Sequence, residues 1–216
     1  MLDIIVPVYN EEKVLLGRSQ YFSRLGRECS LIFVDGESTD RTVDVAAGYG
    51  RVIRSRRGRG AQKNVGAEAA LADHLFFLHV DTDVSLETLR KVRQAFDGGA
   101  EAGCLTMRID RRGAAFSFFE WLVNVRAKRL GIIDGDLGMF LTRDVWRRAG
   151  GFDPVPIMED IFFSRKLRRI AKPVVLEDFI LVSARRWSEE GFWRTLLRYG
   201  QTYWNSGRNP VSFGIR

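Results

Sequence analysis

Short apolar runs alternate with amphipathic stretches along the first hundred residues, and the alternation predicts repeated strand–helix units. Residues 2–8 read as a buried strand, followed by a polar turn at Tyr9-Asn10-Glu11-Glu12 and an amphipathic helix reaching about residue 25. Residues 31–34 form a second buried run. The turn 35–40 then leads into a helix beginning near Arg41, whose start its last residues can cap. Residues 51–54 predict a short third strand, 61–71 an alanine-rich helix, 74–80 a fourth strand, and Ser85 the cap of a helix reaching Phe96. Repeated βα units imply a mostly parallel central sheet flanked by helices. Beyond Gly99 the pattern loosens into a strand at 102–109, a helix at 116–130, a strand at 139–142 and helices at 161–170 and 190–203.

This order aligns three polar clusters along one sheet edge, because successive strands end in Tyr9-Asn10-Glu11, Asp35-Gly36 and Asp81-Thr82-Asp83. In open α/β sheets ligands gather at the carboxyl ends of strands. No G-x-G-x-x-G follows the first strand and no G-x-x-x-x-G-K-[ST] occurs, which argues against a dinucleotide enzyme and a P-loop. At strand rise Asp81 and Asp83 would share one side of the chain about 7 Å apart. Their repulsion would then cost roughly 2 to 3 kcal/mol at an effective dielectric near 20. A divalent cation removes that cost, and Mg²⁺ or Mn²⁺ in such a place bridges carboxylates to substrate phosphates. The competing reading is a solvated turn.

Composition narrows the partners. The 216 residues suffice for one substantial core without a linker, so a single domain is expected: 1–99 as a nucleotide-binding half, 100–216 as a second half with a C-terminal helix. Hydrophobic residues at 45% and charged residues at 28% exclude disorder. The apolar runs are strand-sized, and the first residues enter a strand without a basic leader, so a cytoplasmic location is expected. Cys29 and Cys104 lack metal-ligand spacing and are expected to be reduced thiols. A net charge of +7 calls for an anionic partner, and the cluster Arg54, Arg56, Arg57, Arg59 and Lys63 favours a small one. Within Gly58-Arg59-Gly60-Ala61-Gln62-Lys63-Asn64, just ahead of a helix, Arg59 and Lys63 are candidates for a diphosphate, and Gln62 and Asn64 for sugar hydroxyls.

Val6-Pro7-Val8-Tyr9-Asn10-Glu11-Glu12, the segment 34–40, Asp81-Thr82-Asp83, Gly135-Asp136-Leu137-Gly138 and Met158-Glu159-Asp160 occur in an order that resembles the family 2 glycosyltransferases of GT-A fold, in particular their small soluble bacterial members. The resemblance covers roughly residues 2–187. It implies a metal-dependent, inverting transfer of a sugar from a nucleoside diphosphate donor, a UDP-sugar by preference, to an acceptor hydroxyl. It also implies roles. Asp81 and Asp83 hold Mg²⁺ or Mn²⁺; Asp35 recognises the base, with Pro7, Tyr9 and Glu11 lining the same pocket; Asp160 is the base that takes the acceptor's proton. Gly135, Asp136 and Glu159 shape the acceptor or donor-sugar pocket. Loop-turn, capping and core readings exist for each of these residues.

Arg186 and Trp187 resemble the Q-x-x-R-W segment of processive relatives, but Leu181-Val182-Ser183-Ala184 stands where the Gln should be, so a single transfer per encounter is expected. His79 is expected to be a satisfied strand residue. Phe192, Leu196, Tyr199 and Tyr203 form one stripe of the C-terminal helix, which fits core closure and also fits an anionic membrane surface serving a lipid-linked acceptor. A sugar-phosphate nucleotidyltransferase is the enzymatic alternative, though its Gly-rich first loop is absent. A basic nucleotide- or nucleic-acid-binding module would leave Asp81, Asp83 and Asp160 unused, so nucleic acid is not the expected partner.

Overall fold

The computed structural model describes residues 1–184; Arg186, Trp187 and the helix expected at 190–203 lie outside them. Four parallel strands build the first half: β1 (Leu2–Val8), β2 (Ser30–Asp35), β3 (Arg51–Arg54) and β4 (His74–Phe77). They are joined by helices α1 (Glu12–Gly17), α2 (Ser19–Glu28), α3 (Thr42–Ala47) and α4 (Arg59–Ala69). The chain continues through β5 (Thr82–Asp83), α5 (Leu86–Asp97), β6 (Ala102–Ile109), α6 (Ala114–Leu130), a 3₁₀ turn at Gly135–Leu137 and β7 (Phe140–Thr142). It ends in α7 (Arg143–Arg148), α8 (Glu159–Ile170) and β8 (Val174–Val182). The sheet order is β3-β2-β1-β4-β7-β6-β8-β5. β7 runs antiparallel to both β4 and β6, and β8 runs parallel to β6.

β1 and β2 are apolar on both faces because helices cover both. One core layer joins Ile5, Val34 and Phe77 to Phe152 and Phe163; the other joins Ile4, Phe33 and Phe76 to Leu15, Phe22 and Leu89. Register brings the carboxyl ends of the first three strands into line, with Asp35 beside Val8 on one side and Arg54 on the other. α4 lies close on this sheet because Gly66 has no side chain: a Cβ there would stand 2.4 Å from Ile5 Cγ2. Ser85 caps α5 as expected, accepting from the Thr88 amide at 2.9 Å.

Two expectations need correction, and two elements lie outside what the sequence pattern predicts. The helix expected over 12–25 is two helices, because Arg18, after Gly17, leaves helical geometry (φ −117°, ψ 22°) and sends its guanidinium to the Val80 and Thr82 carbonyls and the Asp83 carboxylate. β4 stops at Phe77 rather than Val80, since β7 pairs with it only through Phe76 and the chain then turns. β8 carries no clear strand pattern because Glu177 and Asp178 interrupt its apolar run and most of its residues are only half-buried. Short α7 is likewise too brief for a periodic pattern, and it packs one buried turn through Val145 and Trp146.

Candidate functional site

The loops after β1 and β2 are tied to each other. The Asn10 amide donates to Ser38 Oγ at 2.9 Å, the Thr39 amide to Asn10 Oδ1 at 2.8 Å, and the Glu11 amide to Thr42 Oγ1 at 2.7 Å. Asn10 takes a left-handed conformation (φ 52°), which asparagine tolerates better than most residues. Asp35 ends β2 only 2% exposed, and its two oxygens share the Ser38 amide at 3.3 and 3.2 Å. A carboxylate has about four lone-pair sites, so this one amide does not saturate it. Pro7 lies half-buried in β1, and Tyr9, at the end of that strand, carries the Arg57 guanidinium 4.1 Å above its ring. A shallow hollow of about 500 Å³ lined by Asn10, Glu11, Glu12, Lys13, Val14 and Asp40 adjoins these loops, but none of its residues belongs to the acidic cluster described below.

α4 spends most of its polar side chains internally, contrary to expectation. Gln62 Nε2 donates to the Val8 and Val34 carbonyls at 2.8 and 2.7 Å, closing the gap between the ends of β1 and β2. Asn64 binds the Phe152 backbone and the Trp146 indole. Lys63 is not presented to a diphosphate: its ammonium lies 2.8 Å from Glu159 Oε1, and both side chains are 2% exposed. Arg59, the first residue of α4, is exposed and remains the cation of that segment that can meet a ligand. Gly58 ahead of it has φ 131°, a backbone conformation that requires glycine.

Asp160 lies in the first turn of α8, behind Met158, whose left-handed backbone (φ 65°) is the kind of strained position that clusters at functional sites. Its Oδ2 accepts from the Gly135 amide and its Oδ1 from the Ile161 amide at 2.8 Å. His79, just past β4, lies beside it: a Cβ at position 135 would stand 2.7 Å from Asp160 Oδ2 and 2.9 Å from His79 Nε2, so only glycine leaves that space open. His79 is not the satisfied strand residue expected. Its Nδ1 is 2.7 Å from Asp136 Oδ1, while its buried Nε2 has no hydrogen-bond partner among the described residues. An unbroken series of contacts therefore runs from Gly60 at the start of α4 to Glu159, Asp160, Gly135 and His79, whose carbonyl accepts from Thr82 next to Asp81.

Burial and the neighbouring Glu159 push the Asp160 carboxyl above its ordinary range, although Lys63 and two amides oppose them. Burial acts on Glu159 in the same sense, but Lys63 overcomes it and holds that carboxyl below its usual value. Asp134 is pushed up to about 7 by burial, with Asp160 and Asp136 adding to it, against the Arg126 guanidinium that touches it. A raised carboxyl favours the folded state while it is protonated. That contribution is present at acidic pH and is lost as pH rises through about 7. Asp134→Asn should therefore flatten the fall in melting temperature between about pH 4 and pH 7, a scan that thermal unfolding provides directly.

Asp81 and Asp83 do not stand on one continuous strand. Asp81 lies in a turn and only Asp83 is in β5, half-exposed, with one oxygen taken by Arg18. Among the described residues no group of three or more His, Cys, Asp or Glu is arranged to hold a metal. Cys29 and Cys104 are buried thiols, as expected, and burial raises both. No described helix is long and apolar enough to cross a membrane.

No protein of curated function matches the chain. Among solved structures, S. aureus TarS 1-349 in complex with UDP-GlcNAc is 21% identical, with 84% of this chain and 58% of that chain covered and a TM-score of 0.66. The mannosyltransferase PcManGT from Pyrobaculum calidifontis, in complex with GDP-Man and Mn²⁺, is 18% identical over 83% of this chain and 56% of that one, with a TM-score of 0.63. This chain thus spans less than two thirds of either neighbour's length. These likenesses show a shared fold, the GT-A arrangement expected from the motif order. The family model for glycosyl transferase family 2 matches residues 3–144, from β1 into α7 and across the aligned strand ends, and the chain belongs to that family.

Proposed function

We propose that the protein transfers a sugar from a nucleoside diphosphate donor, a UDP-sugar by preference, to an acceptor hydroxyl, with inversion and one transfer per encounter. The observation that supports this most is the contact series from the start of α4 through Glu159, Asp160 and Gly135 to His79 and the Asp81 turn, beside the tied β1 and β2 loops. Such a layout brings candidates for a base and for diphosphate and sugar contacts onto neighbouring loops. Family membership favours this reading over a nucleotidyltransferase or a basic binding module.

In this reading Tyr9, Glu11 and Pro7 flank the base and Asp35 accepts its imino hydrogen. Arg59, at the positive end of an 11-residue helix, meets the diphosphate. Asp160 accepts the proton of the acceptor hydroxyl as its oxygen bonds to the anomeric carbon, and the bond from that carbon to the diphosphate oxygen breaks with both electrons leaving on the diphosphate. Gly135, Asp136 and Glu159 fix the orientation of Asp160 and His79 around that point. A donor set of Asp81 and the remaining oxygen of Asp83 suits Mg²⁺ or Mn²⁺, which take one or two protein carboxylates and fill other positions with phosphate oxygens and water. When bound, the cation supplies Lewis-acid stabilisation of the departing diphosphate.

UDP should raise the melting temperature in the presence of Mn²⁺, by an amount equivalent to about 2.7 kcal/mol at one hundred times its dissociation constant. EDTA or Asp81→Asn should remove that gain. UDP stabilisation that persists unchanged in EDTA would tell against the metal-bound diphosphate.

A further inference from the structure

α6 carries apolar residues on two sides, and only one of these is buried. Its inner side carries Val123 and Ala127, 3% and 2% exposed, against the sheet. Its outer side carries Phe118 at 60%, Trp121 at 57% and Leu122 at 43% exposure, with the Phe118 and Trp121 rings stacked 5.8 Å apart. At helical spacing these three fall on one face with Val125. A helix of this composition is expected to be covered on both sides. The face is bounded by exposed arginines at both ends, Arg112 just before the helix and Arg129 in its last turn. The only acid on the helix, Glu120, is turned inward and accepts from the Ile109 amide at 2.6 Å.

We propose that α6 is an interfacial helix that docks the protein on an anionic lipid surface. Aromatic and leucine side chains on one face, basic residues at its ends and no outward acid are the pattern that lies in the headgroup boundary. A second copy of the chain is a poorer occupant. The three side chains expose on the order of 300 Å², well short of the roughly 800 Å² per partner of a stable protein interface.

The inner side of the same helix reaches the candidate site. Arg126 contacts Asp134, and the next residue, Gly135, donates its amide to Asp160. A lipid surface on α6 thus lies one side-chain contact from the loop that holds the proposed base. Resting on the glycosyltransferase reading, this points to an acceptor hydroxyl borne on a lipid.

The test uses the full chain and co-sedimentation with vesicles of phosphatidylcholine, alone and mixed with phosphatidylglycerol. The protein should pellet with the mixed vesicles, and Phe118→Ser with Trp121→Ser should lower the bound fraction about tenfold or more while leaving circular dichroism unchanged, since both side chains are exposed. Arg112→Glu with Arg129→Glu should abolish the preference for anionic vesicles. Failure of the unaltered protein to pellet with either vesicle overturns the proposal, as does undiminished binding by the Phe118→Ser, Trp121→Ser variant. Self-association in solution that this variant loses, without vesicle binding, would assign the face to a second copy instead. The UDP and Mn²⁺ melting shift is measured without lipid and should survive in the variant. Vesicle binding without any such shift would sink the glycosyltransferase reading and leave the docking surface standing.

Discussion

Lys63→Met should destabilise the protein by about 3 to 5 kcal/mol, the cost of leaving one member of a buried ion pair without its partner. Both Lys63 and Glu159 side chains are 2% exposed and 2.8 Å apart, so neither can recover water when the other is removed. Lys63 also lies over the Phe152 ring, its ammonium 5.1 Å from the centroid, and Phe152 stacks on Phe163; methionine fills this apolar surround without supplying charge. The loss should grow with pH. In the unaltered protein Lys63 holds the Glu159 carboxyl low, a contribution present above the ordinary carboxylate range and lost as pH falls through the depressed value. Without the ammonium, burial alone acts on Glu159 and raises it, so the variant is relatively better off when acid has neutralised that group. Adding Glu159→Leu to Lys63→Met should restore much of the stability, because replacing both charges by apolar groups of similar size is often neutral. Urea unfolding of the two single variants and the double variant measures the coupling. A small loss in Lys63→Met would mean that the pair is hydrated.

This pair also shows where sequence reading stops. Local chemistry placed Lys63 correctly near the start of a helix in a basic segment, and the strand ends at Val8, Asp35 and the Asp81 turn were legible because a two-sided parallel sheet leaves unbroken apolar runs. What periodicity could not supply was the partner of each charge. Glu159 lies far along the chain from Lys63, Asp83 from Arg18, and His79 from Asp136, and each pairing depends on how the second half folds back over the first. The break at Arg18 has one trace in the sequence, the Gly17 before it, which a helical pattern also tolerates. β8 left less, since a strand with one half-exposed face and two adjacent acids resembles a loop in composition. Motif order alone singles out Asp160 as a candidate; nothing local distinguishes it from an acid at a helix start, and its surroundings become apparent only with Gly135 and His79 packed against it.

Asp160→Asn should cost about 10² to 10⁴ in turnover, the usual contribution of a positioned base, while leaving the fold and nucleotide binding intact. Gly135 donates to one carboxylate oxygen and Ile161 to the other, so the single amide oxygen keeps one of these two hydrogen bonds and the variant loses the second along with its basicity, a small local loss beside that of the base. The readout is release of UDP from a UDP-sugar with water as acceptor, alongside the melting shift produced by UDP and Mn²⁺. Turnover should fall and the melting shift should not. The pH profile gives an independent check. Activity should decline as pH drops through the Asp160 value, which burial and Glu159 hold above the ordinary carboxylate range, so the acid limb should stand at higher pH than for an exposed aspartate. Glu159→Gln should move that limb downward, because it removes a like charge and leaves Lys63 to act on Asp160 alone. If Asp160→Asn retains full turnover, the proton goes elsewhere, and the group beside it with an open position is His79 Nε2, held by Asp136 on its other nitrogen. Asp136→Asn, which would loosen that hold, then becomes the decisive comparison: loss of turnover there but not in Asp160→Asn would transfer the role to the imidazole.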